Sequence, residues 1–360
     1  MRLVGAACLL VVAFTALVVT GCSGSREGEP EDIGALLDRV VDAGAPGAFV
    51  VLRDRERMRT EARGLSYDDR RLRVDERFRI ASVTKTFVAA LVLQLVEEHK
   101  LGLDDTVERW LPGLVPNGRE ITLRELLRHT SGLYDYVEEP SVLRSPERRW
   151  TPEELIALAT AHPVDRTRPR RFSYSSTNYL LLGRIAEKAG GAPLASQLQR
   201  RIFAPLGLRH TTFEPGLVRG SYVHGHRPPS HNGVVTGPPE DTSDEPAWWT
   251  WAAAGMVSTA DDLQRFFSAL LGGRVVGPAL LRDMRTVVPA GRLDYGLGIA
   301  VFRTPCGPAW GHTGNAQGTI TVAWNTADAS RQLVLVVNAY PLSSELESAV
   351  RDLQDAAFCS

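Results

Sequence analysis

The sequence predicts an α/β chain of the α+β type, in which strands from the two ends build one antiparallel sheet and a mainly helical segment is inserted between them. Three observations point there. Short apolar, β-branched runs stand near the start and again near the end. Capped, helically periodic segments fill the middle. A run apolar nearly all round, Lys85 to Glu98, reads as a helix buried at the centre. With 360 residues, 44% hydrophobic and 23% charged, the chain is too apolar for disorder and long enough for a large core.

Residues 1–22 stand outside that fold. Met-Arg, an apolar run from Leu3 to Val19 and Val19-Thr20-Gly21-Cys22 give a charged start, a hydrophobic middle and small residues before a cysteine, which resembles a bacterial lipoprotein signal. A plain membrane anchor is the alternative, since the run is near the lower limit for spanning. Either way the body is expected to work outside the cytoplasm, held to the membrane through lipidated Cys22 or secreted, with residues 23–31 as a polar tether. Cys8 leaves with the signal and Cys22 carries lipid, so Cys306 and Cys359 remain in an oxidising compartment and are expected to be bridged; two buried free thiols are the alternative.

Residues 32–360 form the domain, its sheet drawn from about 32–81 and 290–360 and its helices from about 82–289. Ile33, Leu36, Leu37, Val40 and Val41 recur at helical spacing and stop at Gly44. Ala48–Leu52 and Met58–Ala62 follow as short strands, and Phe78-Arg79-Ile80 leads into the buried helix. Thr151-Pro152-Glu153-Glu154 supplies an N-cap, a first-turn proline and a capping-box acid, while Thr177 to Lys188 and Ala260 to Leu271 carry periodic faces. Tyr295–Phe302, Gly318–Asn325 and Gln332–Ala339 read as consecutive strands and Ser344–Ala357 as a closing helix. Apart from the tether, only the Pro/Gly-rich stretch around Pro228 to Pro239 looks mobile.

The 41 basic residues nearly balance 42 acidic ones, for a net charge of -1, and no long single-sign run occurs, which excludes a nucleic-acid footprint. Lys85, Lys100 and Lys188 are the only lysines; a lysine kept where arginine is the default invites a chemical reason, because lysine can deprotonate. Ser82-Val83-Thr84-Lys85 puts a hydroxyl and an amine about one helical turn apart on one face. An amine desolvated against an apolar helix can take the serine proton. The plain alternative, a capped helix with an exposed lysine, sets a cation against the helix dipole. Two further segments, Phe172-Ser173-Tyr174-Ser175-Ser176-Thr177-Asn178-Tyr179 before a helix and Trp310-Gly311-His312-Thr313-Gly314 between two late strands, read by themselves as a cap and a turn.

Taken in order, Ser-x-x-Lys, Tyr-Ser-x and His-Thr-Gly resemble the penicillin-recognising serine hydrolases, in particular the D-alanyl-D-alanine carboxypeptidase and class C β-lactamase-related branch with its β-lactamase/transpeptidase-like fold. Ile121 to Leu133, Phe203 to Leu208 and Ala254 to Thr259 are similar to that family's recurring segments. The resemblance implies Ser82 as the acylated nucleophile, Lys85 and Tyr174 sharing the proton work, His312, Thr313 and Gly314 opening the strand that lines the site, and the backbone N–H groups of Ser82 and Asn315 as the oxyanion hole. Two positions depart from it. Ser176 stands where the family usually has Asn, with Asn178 two residues too late to replace it, and His312 stands where the β-lactamases of the branch have Lys. His-Thr-Gly is the carboxypeptidase form. Arg303, on the strand before the motif, is then a candidate cation for a substrate carboxylate.

His129 is structural on this reading, and no Gly-x-Ser-x-Gly elbow supports a Ser-His-Asp triad. His224, His226 and His231 sit in a Pro/Gly-rich loop without an acidic partner at helical spacing, so neither metal nor organic cofactor is implied. Trp248-Trp249-Thr250-Trp251 either lines a cleft or packs under the loop. The expected activity is hydrolysis of the terminal D-Ala-D-Ala bond of peptidoglycan stem peptides, with β-lactams as acylating ligands. An esterase, D-amino-acid amidase or β-lactamase on the same scaffold, or a non-turning sensor of β-lactams, are the rivals.

Overall fold

The computed structural model describes residues 32–359 apart from 166–170, 229, 232–233, 236 and 292. The signal, the tether, Cys22 and part of the Pro/Gly-rich stretch lie outside these residues. Helix α1 (Ile33–Asp42) begins at Asp32, whose carboxylate accepts the Gly34 N–H at 3.1 Å. Strands β1 (Gly47–Asp54) and β2 (Arg57–Tyr67) follow, each longer than its apolar run suggested, because cross-strand pairing carries them through polar residues. After β3 (Arg70–Arg71), helix α2 (Thr84–Glu97), helix α3 (Thr177–Gly190) and helix α4 (Ala260–Leu271) anchor the helical half.

The late strands are β4 (Val288–Ala290), β5 (Leu293–Tyr295), β6 (Ala300–Thr304), β7 (Gly307–Ala316), β8 (Thr319–Asn325) and β9 (Arg331–Val337), and helix α5 (Ser344–Cys359) closes the chain. They join the early strands in one nine-stranded antiparallel sheet ordered β4-β5-β6-β7-β8-β9-β1-β2-β3. The seam between chain ends is β9 on β1, with Val50 opposite Leu335. Because strand side chains alternate faces, β1 feeds two cores. Ala48, Val50 and Leu52 pack with α1 and α5, whereas Phe49 and Val51 face the helical lobe.

Helix α2 is buried on nearly every side. Phe87 lies stacked on Phe266 of α4 with ring centroids 3.6 Å apart. Two sequence readings need correction. Tyr295–Phe302 is not one strand: the chain turns between β5 and β6, with the Gly296 N–H on the Ile299 carbonyl at 2.7 Å. Gly298 has φ +75° there, and a Cβ would come within 2.3 Å of the Ala89 Cβ, so the turn lies directly on α2. Trp310–Gly314 is not a connection either but the middle of β7, a strand hidden from pattern reading because its three glycines and one proline carry little β-propensity.

Cys306, at the β6–β7 turn, and Cys359, at the end of α5, are disulfide-bonded with Cα atoms 5.2 Å apart across 53 residues of sequence. A chain beginning at Asp32 retains only these two cysteines. Thiol titration of that chain, denatured without reductant, should count no free thiol, and replacing both by serine should cost about 4 kcal/mol in denaturant unfolding from the lost loop constraint. Two titrating thiols overturn the bridge.

Candidate active site

Ser82 sits in a single 3-10 turn, Ala81–Val83, between strand Phe78–Arg79 and α2. The approach is fixed by a small separate sheet in which Phe78–Arg79 pairs with Met256–Ser258, and by the Ile80 N–H on the Met256 carbonyl at 3.1 Å. Ala81 adopts φ +45°, an uncommon conformation for a residue with a Cβ. Strand β7 presses on this turn. A Cβ on Gly314 would fall 2.2 Å from the Ile80 carbonyl oxygen and 3.0 Å from the Ala81 Cβ, so only glycine lets the strand approach the serine this closely.

Three side chains converge. Lys85, fully buried in the first turn of α2, places Nζ 3.0 Å from Ser82 Oγ and 2.9 Å from the Ala253 carbonyl. The Tyr174 hydroxyl donates to Ser82 Oγ at 3.0 Å. Burial pushes the Lys85 ammonium down to about 7, with the charge of Asp135 opposing the shift. The same burial raises the Tyr174 phenol, against the relief from its bond to Ser82, so it stays protonated at neutral pH. Tyr174 is 38% exposed and lines the cleft.

His129 is the support beneath Tyr174. Its Nδ1 accepts the Ser175 N–H and the Asn178 side-chain amide, each at 3.1 Å, and its carbonyl takes the Ser173 N–H at 2.8 Å. The ring stacks on Tyr174 with centroids 4.2 Å apart. Two donors on Nδ1 put the proton on Nε2, which has no hydrogen-bond partner among the described residues; the ring lies edge-on to Tyr295 with centroids 4.9 Å apart, and burial holds the imidazole neutral. Asn178 is spent inside this network, accepting from Ser131 Oγ at 2.6 Å, and does not reach the cleft.

His312 is also neutral, in the opposite tautomer. Nδ1 donates to the Thr313 carbonyl at 2.5 Å, Nε2 accepts from Tyr295 at 2.8 Å, and burial pushes the group down to about 3. It therefore brings no positive charge to the position where the resemblance set a lysine.

Ser82, Tyr174, Ser176, His312, Thr313 and Asn315 line one cleft of about 440 Å³. Arg303 does not. Its side chain is 72% exposed and ion-paired with Asp294, and it borders a separate groove against α5, because Asp294 on the neighbouring strand holds the guanidinium away from the cleft. The tryptophans divide between both readings: Trp249 lines the cleft, with its carbonyl taking the Tyr136 hydroxyl at 2.6 Å, while Trp251 packs on Gly183 of α3. Sequence reasoning passed over Asp135 and Tyr295, which also line the cleft. Asp135 lies two residues past the family-like segment ending at Leu133, and that proximity was the available signal. Among the described residues no cluster of His, Cys, Asp and Glu could hold a metal.

A protein-family model described as Beta-lactamase matches residues 33–357. The chain is 32% identical to Esterase EstB of Burkholderia gladioli, covering 73% of this chain and 72% of that protein. It is 28% identical to the putative penicillin-binding protein PbpX of Bacillus subtilis over 72% of its own length, and spans 63% of that relative. Among solved structures, a D-stereospecific amidohydrolase from Streptomyces sp. superposes with a TM-score of 0.82 at 34% identity, covering 92% of this chain and 99% of the other.

Replacing Gly314 by alanine should push β7 off the Ser82 turn and slow labelling of Ser82 by a fluorophosphonate probe on the order of 10²-fold, the cost of a displacement near 1 Å. The thermal melt should remain a single cooperative transition. Labelling at the wild-type rate would show that the close approach is dispensable.

Proposed function

The chain belongs to the Beta-lactamase family of serine hydrolases, and on that premise we propose that it is an exported hydrolase that cleaves small amide or ester substrates through an acyl-enzyme on Ser82. The observation that carries the reading is a buried amine, pushed down to about 7, that lies 3.0 Å from the serine oxygen. The free amine of Lys85 accepts the Ser82 proton as Oγ attacks the substrate carbonyl, and the oxyanion is received by the backbone N–H groups of Ser82 and Asn315. Tyr174, protonated and on Oγ, passes a proton to the departing group and is recharged from Lys85. Water then attacks the acyl carbonyl, giving its proton to the Lys85–Tyr174 pair, and the pair returns that proton to Ser82 Oγ as the acyl C–O bond breaks and the acid product leaves.

A neutral leaving group suits the described cleft best. Lys85 is committed to Ser82 and the Ala253 carbonyl, His312 is neutral and Arg303 is turned away, so no described side chain offers a cation to a terminal carboxylate. This favours amide or ester hydrolysis, the chemistry named for two of the relatives. Release of terminal D-Ala from peptidoglycan stem peptides, with β-lactams as slow acylating ligands, is the second reading, supported by His312-Thr313-Gly314 in its carboxypeptidase form. Membrane attachment through Cys22 is supported by the lipoprotein-like residues 1–22.

Incubation of the mature protein with a reporter penicillin and with simple amide and ester substrates, followed by intact-mass and peptide-mass analysis, tests the chemistry. An adduct on Ser82, absent in Ser82→Ala together with turnover, is expected; an unchanged rate in that variant would refute the mechanism. D-Ala release from a stem-peptide mimic faster than turnover of the amides would establish the carboxypeptidase instead. The pH profile gives a separate check. Because folding lowers the lysine, the reactive free amine is lost as pH falls through about 7, so kcat/KM should drop about tenfold per unit below that pH. A profile flat from about pH 5 to 8 would remove Lys85 as the base.

A further inference from the structure

We infer that Asp135 receives a free α-ammonium of the substrate, so that the preferred substrates are amino-acid amides, esters and short peptides with an unblocked N-terminus, cut after their first residue. This deepens the acyl-enzyme reading above and rests on it.

Asp135 is the one carboxylate among the described residues that line the cleft holding Ser82. No salt bridge to it is found among the described residues, whereas Glu214, Glu154 and Asp294 each pair with an arginine. The side chain is fixed from behind: Oδ1 accepts the Val137 N–H at 3.2 Å, and a backbone bond from Ser176 adds a second hold. An ionised carboxylate offers about four lone-pair positions, so two such bonds leave acceptor capacity. The nearest positive charge, Lys85, acts on it only through space and is itself turned to Ser82 and Ala253. Burial raises the Asp135 pKa, the mark of a carboxylate that has lost water without gaining a cation in return.

A primary ammonium supplies that cation. The same cleft places Ser82 for the carbonyl and presents Val137, Phe172, Trp249, Leu293 and Tyr295 as an apolar wall for a side chain, so an α-amino acid has one surface for each of its substituents. Ser176, shorter than the asparagine its motif leads one to expect, lines the same cleft beside Asp135. The rival role for Asp135 is purely local, as the cap of the short turn Tyr136–Glu138. Asparagine caps equally well, so charge and cap are separable by one substitution.

The experiment uses the mature protein and D- and L-phenylalanine p-nitroanilides, each with its N-acetyl counterpart, at pH 7. Wild type should favour the unblocked amide, and Asp135→Asn should raise KM for it with little change in kcat, so that the ratio of kcat/KM between unblocked and acetylated substrate falls by about 10- to 100-fold, as expected for losing a hydrogen bond to a charged group. Asp135→Glu should restore part of the ratio. If Asp135→Asn slows both substrates in proportion, Asp135 acts as a turn cap or on Lys85, and the inference fails. Wild type preferring the acetylated amide, or turning over neither while a fluorophosphonate probe still labels Ser82, overturns the inference but leaves the acyl-enzyme reading standing. Loss of Ser82 labelling in wild type overturns both.

Discussion

An ammonium held out of water in the first turn of an almost wholly apolar helix is the constraint on which this structure depends. Lys85 can sit there because α2 is walled on all sides by the helical lobe and by the Gly298 turn lying on it. The same walls make the charged form costly, which turns a residue that is ordinarily a cation into a proton acceptor near neutral pH. Every apolar side chain that secures α2 is therefore also setting the chemistry of Ser82. A residue such as Phe87, stacked on Phe266 and far from any substrate, contributes to reactivity by keeping water from the helix.

Precision at the serine comes from a second set of elements. The sheet is closed by pairing the first long strand, β1, with the last, β9, so β7 is held in the interior of a sheet whose two ends come from opposite ends of the chain. The disulfide ties the β6–β7 turn to α5, and Gly314 allows β7 to meet the Ser82 turn at backbone distance. Opposite β7, His129 holds the Tyr174 segment by its carbonyl, its Nδ1 and its ring face. The serine is thus held between a strand and a histidine-centred loop.

Much of this was legible in the sequence. The periodic helices α1, α2 and α4 stand within a residue or two of their expected bounds, because amphipathic or wholly apolar patterning over a dozen residues specifies a helix strongly. Ser82 and Lys85 are marked by their spacing and Tyr174 by the family resemblance, and the structure brings them into contact across 92 residues of sequence. What failed was local and glycine-rich. From its residues alone Trp310–Gly314 reads as a turn, since glycine suppresses strand propensity, and only the family resemblance sets a strand at His312–Gly314; the β5–β6 turn is hidden because Gly296 and Gly298 lie inside an apolar run. Arg303 stands before the motif on β6, an interior strand, but the direction of its side chain depends on its neighbour, here Asp294 on β5. Asp135 carries only one faint signal in sequence, its place two residues past the family-like segment ending at Leu133, since a lone acid after a Gly-Leu turn looks like any cap.

The charge inventory of the cleft completes the case. His129 and His312 are both neutral, in opposite tautomers fixed by their hydrogen bonds, and Tyr174, Tyr136 and Tyr295 are kept protonated by burial. Lys85 is poised near neutrality. The described lining of the cleft therefore holds one fixed charge, the carboxylate of Asp135, in surroundings dry enough to strengthen whatever it meets. A substrate bearing a carboxylate near that point would be repelled, a neutral one would leave the acid unpaired, and one bearing an ammonium would neutralise it. On the reading proposed above, selectivity in this site rests on a single anion set against groups that burial keeps neutral, among them Tyr174, which shares the proton work with Lys85.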